Sequence, residues 1–381
     1  MLLYDPLLEI AMPRYGILIP IPPSRPQKIT AFLAERHSPL PVMNLKEAAL
    51  GIHTLGIQEG GTRNGGIQDG PVIEQKDLER VHDRAFIAKL YGGSEEKEKA
   101  LLTTYELINS DGTYNRYNPS LAVKPLADLF DVILRHVEGS YLASRLALEK
   151  KGKAPYEDFC FFLSGGMHHA RYDSGSGFCL VNDIIIAARK LQAEDRAAFI
   201  WIIDVDAHKG DGSAELVKFS RDRGESFADR NPGIFTLSVH MARGWPLDSA
   251  SLAAAEKGRA PLVDSDLDIP IEEKEDDLYI TRLADGLAEM ERRSGNRKPD
   301  LAIVVAGADP YEKDGLPSSG LLALSLDQCV ERDRLILSFL KKRKIPSAWI
   351  LAGGYGEHAW EPTARFLDSL AERPIRTGEE P

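Results

Sequence analysis

Residues Ala198–Gly212 read AFIWIIDVDAHKGDG. The run Ala198–Ile203 is short, β-rich and unbroken by polar residues. A strand buried on both faces of a parallel sheet requires that pattern, because neither face meets water. The polar cluster Asp204-Val-Asp206-Ala-His208-Lys-Gly-Asp211-Gly212 follows at once. In an extended segment, residues two apart point to the same side. Asp206 and His208 can therefore reach one ion, and a carboxylate with an imidazole is a suitable ligand pair for zinc. Taken alone, an Asp-x-His is usually a surface turn, so the rest of the chain must decide.

The same arrangement recurs. Asp158–Leu163 runs into Ser164-Gly-Gly-Met-His168-His169, Leu301–Val305 into Gly307-Ala-Asp309-Pro, and Ala348–Leu351 into Gly353-Gly354-Tyr355-Gly356. Ile234–Val239 is a further apolar run. Cys179–Leu191, Asp276–Arg292 and Ser325–Lys342 carry apolar residues at helical spacing between these runs. Such alternation predicts a doubly wound α/β fold. Ligands of such sheets bind at the carboxyl ends of the strands, so the polar clusters should converge on one crevice.

The first 150 residues are less regular. Val81–Tyr91 and Leu126–Lys150 read as helices. Ile57–Gly70 is glycine-rich but lacks the Lys-Ser/Thr ending of a phosphate loop, so a flexible surface loop is expected there. With no internal repeat and no clear linker, residues 1–381 read as one catalytic domain. Its N-terminal third is irregular, and the motif-bearing core spans about 157–360.

Composition narrows the partners. The 47 basic and 58 acidic residues leave a net charge of −11. That balance disfavours sequence-independent nucleic-acid binding and is compatible with a basic protein or polyamine substrate. The three cysteines, Cys160, Cys179 and Cys329, have no CxxC spacing, so buried free thiols are expected. No apolar stretch is long enough to span a membrane, and no basic segment precedes an apolar N-terminal run. A cytoplasmic setting is the expectation.

Asp309 is well placed to be a third ligand beside Asp206 and His208. Three protein ligands leave positions open for water and substrate, the pattern of a catalytic site. Asp204 and Asp211 are spare carboxylates, able to orient one imidazole each of His168 and His169. Tyr355 could donate a hydrogen bond to an oxygen that becomes negative on attack. His37, His53, His82, His136, His240 and His358 show no ligand spacing.

In this order, SGGMHHA, SGFCLVND, DVDAHKGDG, GADP and GGY resemble the histone deacetylase family, which includes acetylpolyamine amidohydrolases. The resemblance covers roughly Phe159 to Tyr355, with a weaker likeness around Val81-His82. It implies a single arginase-like α/β domain, with a mainly parallel eight-stranded sheet and helices on both faces. It implies one catalytic zinc on Asp206, His208 and Asp309. His169, paired with Asp211, would be general base and then acid; His168, paired with Asp204, would act electrostatically. Tyr355 would polarise the scissile carbonyl. Gly177, Phe178, Trp245, Leu316 and Gly354 would line the substrate channel. A potassium ion would bind at Asp204, Asp206, His208, Ser238 and the Val239 carbonyl.

The implied activity is hydrolysis of N-acyl amides, either acyl-lysine on proteins or acylated polyamines. The segment between Asp211 and Ser238 is longer than in compact family members, and the sequence does not single out which residue of the N-terminal third matches the family's rim carboxylate. An arginase-type ureohydrolase would need a carboxylate two residues after His208, where Gly210 stands. A retired acyl-lysine binding module would have lost a ligand, His169 or Tyr355, and all are present.

Overall fold

The computed structural model describes residues 1–8, 11–58, 72–109, 111–149, 158–222, 233–249, 251–252 and 262–372. Eight strands form one sheet: β1 Leu2–Leu3, β2 Val42–Met43, β3 Phe159–Phe162, β4 Ile200–Asp204, β5 Ile234–Met241, β6 Leu267–Ile271, β7 Leu301–Val305 and β8 Ser347–Ile350. The order is β2-β1-β3-β8-β7-β4-β5-β6, and every neighbouring pair is parallel. The arginase-like α/β expectation holds, with a sheet wholly rather than mainly parallel.

The continuous apolar runs have a direct physical cause. In β4, Ile200 and Ile202 face a core shared with the helices Leu129–Glu149 and Asp183–Ala193. Trp201 and Ile203 face a second core, built with the helices Arg25–Glu35, Tyr279–Arg293, Leu326–Lys342 and Glu361–Glu372. Both faces are dry, so both side-chain sets must be apolar. In the second core Trp349 stacks on Phe366 at 5.2 Å between ring centroids, and Phe159 and Phe161 border the same stack.

The chain leaves β4 outward through β5 and β6, then returns to add β7 on the other side of β4. A switch of direction at the carboxyl ends of two adjacent strands leaves a crevice there. Asp206 follows β4 and Asp309 follows β7, so the crevice opens between them.

Three strands escape the sequence pattern. β1 and β2 have two residues each, too short to show a period, and β6 contains Pro270 and is half-buried. Proline is tolerated in β6 because it is an outermost strand of the sheet. The helix expected from Cys179 begins at Asp183: Ser176 and Cys179 pair across a turn, and the Asn182 side chain caps the helix by accepting from Ile185 N–H. The helix expected from Val81 likewise begins at Arg84, capped by Asp83. Most of the glycine-rich Ile57–Gly70 stretch lies outside the described residues. All three cysteines are buried and unbridged.

His82 ties the helical N-terminal region to the loop and helix that follow β3. Its Nδ1 donates to the Arg171 carbonyl at 2.8 Å, and its Nε2 accepts the Asn182 N–H at 2.9 Å. The second bond needs a neutral ring, because a protonated Nε2 cannot accept. Burial lowers its pKa from 6.5 to about 4. Between those values the unfolded chain binds more protons than the folded one. The stability His82 contributes is therefore complete above pH 6.5 and is lost as pH falls toward 4. Because His136 and His169 carry the same downward shift, urea unfolding of metal-free protein at a series of pH values should show this loss as a difference between wild type and His82→Gln that shrinks by roughly 2–3 kcal/mol between about pH 7 and about pH 4.5. His82→Gln should be less stable at neutral pH and shallower in its pH dependence; an unchanged slope would sink the assignment.

Candidate metal-centred active site

The ends of β4 and β7 bring Asp206, His208 and Asp309 together. Potential ligand atoms of these three buried residues all lie within 4.8 Å of one another. His208 Nδ1 is 3.3 Å from Asp206 Oδ1 and 2.9 Å from Asp309 Oδ2. Donors sharing one ion at about 2.0–2.2 Å are separated by comparable distances, so the set fits a zinc-type ion. Backbone contacts hold the carboxylates: Gly353 N–H donates to Asp206 Oδ2 at 3.0 Å, and Ala207 N–H to Asp309 Oδ1 at 2.9 Å.

Two carboxylates packed in a dry site ionise together only with positive charge beside them; without a metal, burial and the Asp206 charge push Asp309 up to about 7. Burial disfavours a charged His208, yet its hydrogen bonds with Asp206 and Asp309 outweigh burial and carry its pKa up to about 10. The proton balances charge that a dication would balance better.

The two adjacent histidines are oriented separately. His168 Nδ1 donates to Asp204 Oδ2 at 2.7 Å, and His169 Nδ1 to Asp211 Oδ1 at 2.8 Å. Their rings sit 3.8 Å apart between centroids. Burial works against both cations, but with opposite net results. The Asp204 and Asp206 charges carry His168 up to about 9, whereas burial and the neighbouring His168 charge take His169 down to about 4. At neutral pH one ring is a cation and the other a free base. Environments that split a pair in this way separate an electrostatic role from a proton-transfer role.

A cavity of about 340 Å³ reaches these groups. His168, His169, Asp206, His208, Gly177, Phe178, Trp245, Leu316, Gly354 and Tyr355 all line it. Phe178 and Tyr355 stand 6.5 Å apart between ring centroids, and the Trp245 ring stands 4.5 Å from that of His169. Phe178 has φ +66, a strained conformation for a residue with a Cβ, and its ring stacks on Tyr105. Burial and the Asp309 and Asp206 charges hold the Tyr355 phenol well above its ordinary pKa, so it remains a donor. The expected potassium residues also gather: Asp204 and Ser238 are register partners in β4 and β5, with Val239 next in β5. Part of the long segment between Asp211 and Ser238 lies outside the described residues.

Sequence reasoning missed Arg25, Glu106 and Arg116. The buried Arg25 donates to the carbonyls of Leu351, Ala352 and Gly353, the residues leading into the Tyr355 turn. It comes from a helix with no motif, more than 300 residues upstream, so only folding reveals it. Glu106 and Arg116 line the cavity where it opens to solvent, paired at 3.3 Å, with the Arg116 guanidinium 5.5 Å from the centre of the Phe178 ring. Both have positive φ, which no sequence pattern signals.

Comparison with known proteins agrees with this architecture. The family model for the histone deacetylase domain matches residues 41–367. The chain therefore belongs to the histone deacetylase family. An uncharacterised protein of Picosynechococcus sp. is 34% identical over 243 residues, covering 64% of this chain and 68% of that protein. Histone deacetylase 2 of Arabidopsis thaliana is 26% identical over 241 residues, 63% of this chain and 54% of that protein. The chain thus spans about half of that plant relative. An acetylpolyamine aminohydrolase from Burkholderia pseudomallei shares the fold, with TM-score 0.60 and 18% identity over 96% of each chain.

The His208 proton has a measurable consequence. Ligation requires a neutral imidazole and an ionised carboxylate, so uptake of zinc by chelator-stripped protein at neutral pH should expel at least about one proton, from His208 and in part from Asp309, and affinity should weaken as pH falls. Zinc titration calorimetry in buffers of different ionisation enthalpy reads this directly. Uptake without proton release would refute the reading of His208.

Proposed function

We propose that the chain is a zinc-dependent deacylase, a single catalytic domain whose preferred substrate is an acyl-lysine on a protein. The observation that carries this reading is the pair of carboxylate-oriented histidines beside the Asp206, His208 and Asp309 set, within one cavity. A zinc-type ion on those three residues would supply a lowered water pKa and a polarised acyl carbonyl.

The protein's own groups account for the rest. His169 commits Nδ1 to Asp211, leaving Nε2 to take the proton of the attacking water and return it to the departing amine. Its low pKa keeps it in the base form at neutral pH. His168, hydrogen-bonded to Asp204, is placed to offset negative charge developing nearby. The Tyr355 hydroxyl donates to the oxyanion as it forms. Phe178 and Trp245 exclude water along the acyl-amine chain. A potassium ion at Asp204, Asp206, His208, Ser238 and Val239 would act structurally.

An arginase-type reaction is disfavoured sterically as well as chemically. A Cβ at Gly210 would approach Asp204 Oδ2 to 2.4 Å, so a second metal-binding carboxylate has no room there.

The mouth favours acyl-lysine over an acylated polyamine. Glu106 offers an acceptor and Arg116 donors, side by side where the chain emerges. The main chain of a lysine residue presents both N–H and C=O there, whereas a polyamine presents donors alone. No described helix is long and apolar enough to cross a membrane.

Zinc-loaded protein should hydrolyse acetyl-lysine or longer acyl-lysine peptides with higher kcat/KM than acetylpolyamines. Arg116→Gln should narrow that preference. Faster turnover of acetylpolyamine by the wild-type protein would overturn the substrate assignment while leaving the chemistry intact.

The chemistry has its own test. Tyr355→Phe keeps the ring and loses only the donor, so kcat should fall by about 10²–10³ while KM changes far less. His169→Ala should lose comparable activity yet retain zinc. Near-normal turnover by the Phe variant, or zinc loss in step with activity in the Ala variant, would contradict the roles given.

A further inference from the structure

Tyr355 sits in a turn with little to hold it. Its neighbours Gly354 and Gly356 have φ +141 and φ +77 and carry no side chains to pack. The residues that restrain it come from elsewhere in the chain. Tyr355 N–H donates to Asp314 Oδ2 at 2.7 Å. The Tyr355 carbonyl accepts from Gly315 N–H at 3.0 Å. Both main-chain polar groups of Tyr355 are thus bound by two consecutive residues.

The other oxygen of the same carboxylate is also used. Asp314 Oδ1 accepts Leu316 N–H at 2.8 Å and the Ser319 hydroxyl at 2.9 Å. Leu316 lines the cavity. One carboxylate therefore joins the Tyr355 turn to the Leu316 wall. The approach is tight: a Cβ on Gly315 would come within 2.9 Å of Gly356 Cα. On the other side of the turn, Arg25 holds the carbonyls of Leu351, Ala352 and Gly353, and its charge and that of Asp314 attract each other. Asp314 touches neither the metal-ligand set nor the histidine pairs by any hydrogen bond described above.

We infer that Asp314 is a positioning residue for Tyr355: its carboxylate fixes where the phenol stands relative to the reacting carbonyl and ties that position to the Leu316 wall. This rests on the reading of Tyr355 as the oxyanion donor. Fixing the main chain of a glycine-flanked turn spares the transition state the cost of ordering it. Loss of Asp314 should therefore appear in kcat, through Tyr355, and little in KM.

A double-mutant cycle on zinc-loaded enzyme with an acetyl-lysine peptide tests this, using Asp314→Ala, Tyr355→Phe and the double variant. Zinc content and melting temperature of each are measured alongside. In the wild-type background Asp314→Ala should lower kcat by about 10–10²-fold, with a KM change below about threefold. In the Tyr355→Phe background the same change should cost less than about twofold, because the donor it positions is gone.

If the alanine variant does not fold, the isosteric Asp314→Asn takes its place, with a smaller loss that should again vanish beside Tyr355→Phe. A large Tyr355→Phe loss that multiplies with the Asp314 loss would overturn the positioning role alone. So would wild-type kcat in a folded Asp314→Ala. Unchanged turnover by Tyr355→Phe would overturn the reading of Tyr355 and the inference with it.

Discussion

The structure turns on two carboxylates, Asp206 and Asp309, buried side by side at the ends of adjacent strands. Their mutual repulsion in a medium of low dielectric is expensive unless a cation lies between them. His208 supplies a proton for that purpose, and the distances fit a metal ion better suited to it. The surrounding polar groups serve the same constraint. Gly353 and Ala207 aim N–H groups at the carboxylates, and Arg25 brings a buried positive charge behind the Tyr355 turn. The parallel sheet makes this possible by ending β4 and β7 in register, so their loops must meet.

The histidine pair shows how one local sequence yields two chemistries. His168 and His169 are covalent neighbours with similar burial. They differ in which carboxylate each meets and which charges lie beyond it. His168 is surrounded by Asp204 and Asp206, and His169 by Asp211 and two other imidazoles. The sign of the summed field separates a cation from a base.

Much of the catalytic half was legible before folding. Apolar runs mark β3, β4, β5, β7 and β8 because strands buried on both faces are built mainly from apolar residues. Clusters directly after strands mark the site because parallel sheets place ligands at their carboxyl ends. Apart from the helices at Arg84–Tyr91 and Leu129–Glu149, the N-terminal third was not legible, and the reason is physical. β1 and β2 are too short to carry a period, and the helices there take their places from packing against the Leu129–Glu149 helix and its neighbours.

The sequence by itself determined the candidate ligand types, their order and the strands that carry them, because strand period and local spacing bind neighbouring residues to a common direction. It determined the family for the same reason: the clusters are local and ordered. Only the tertiary structure decided that Arg25 lies behind the Tyr355 turn, that Glu106 and Arg116 meet at the mouth, and that Asp314 clasps Tyr355. These contacts join residues from separate elements, in some cases hundreds of positions apart. Their geometry arises when helices and loops pack around the finished sheet, and no local periodicity encodes it.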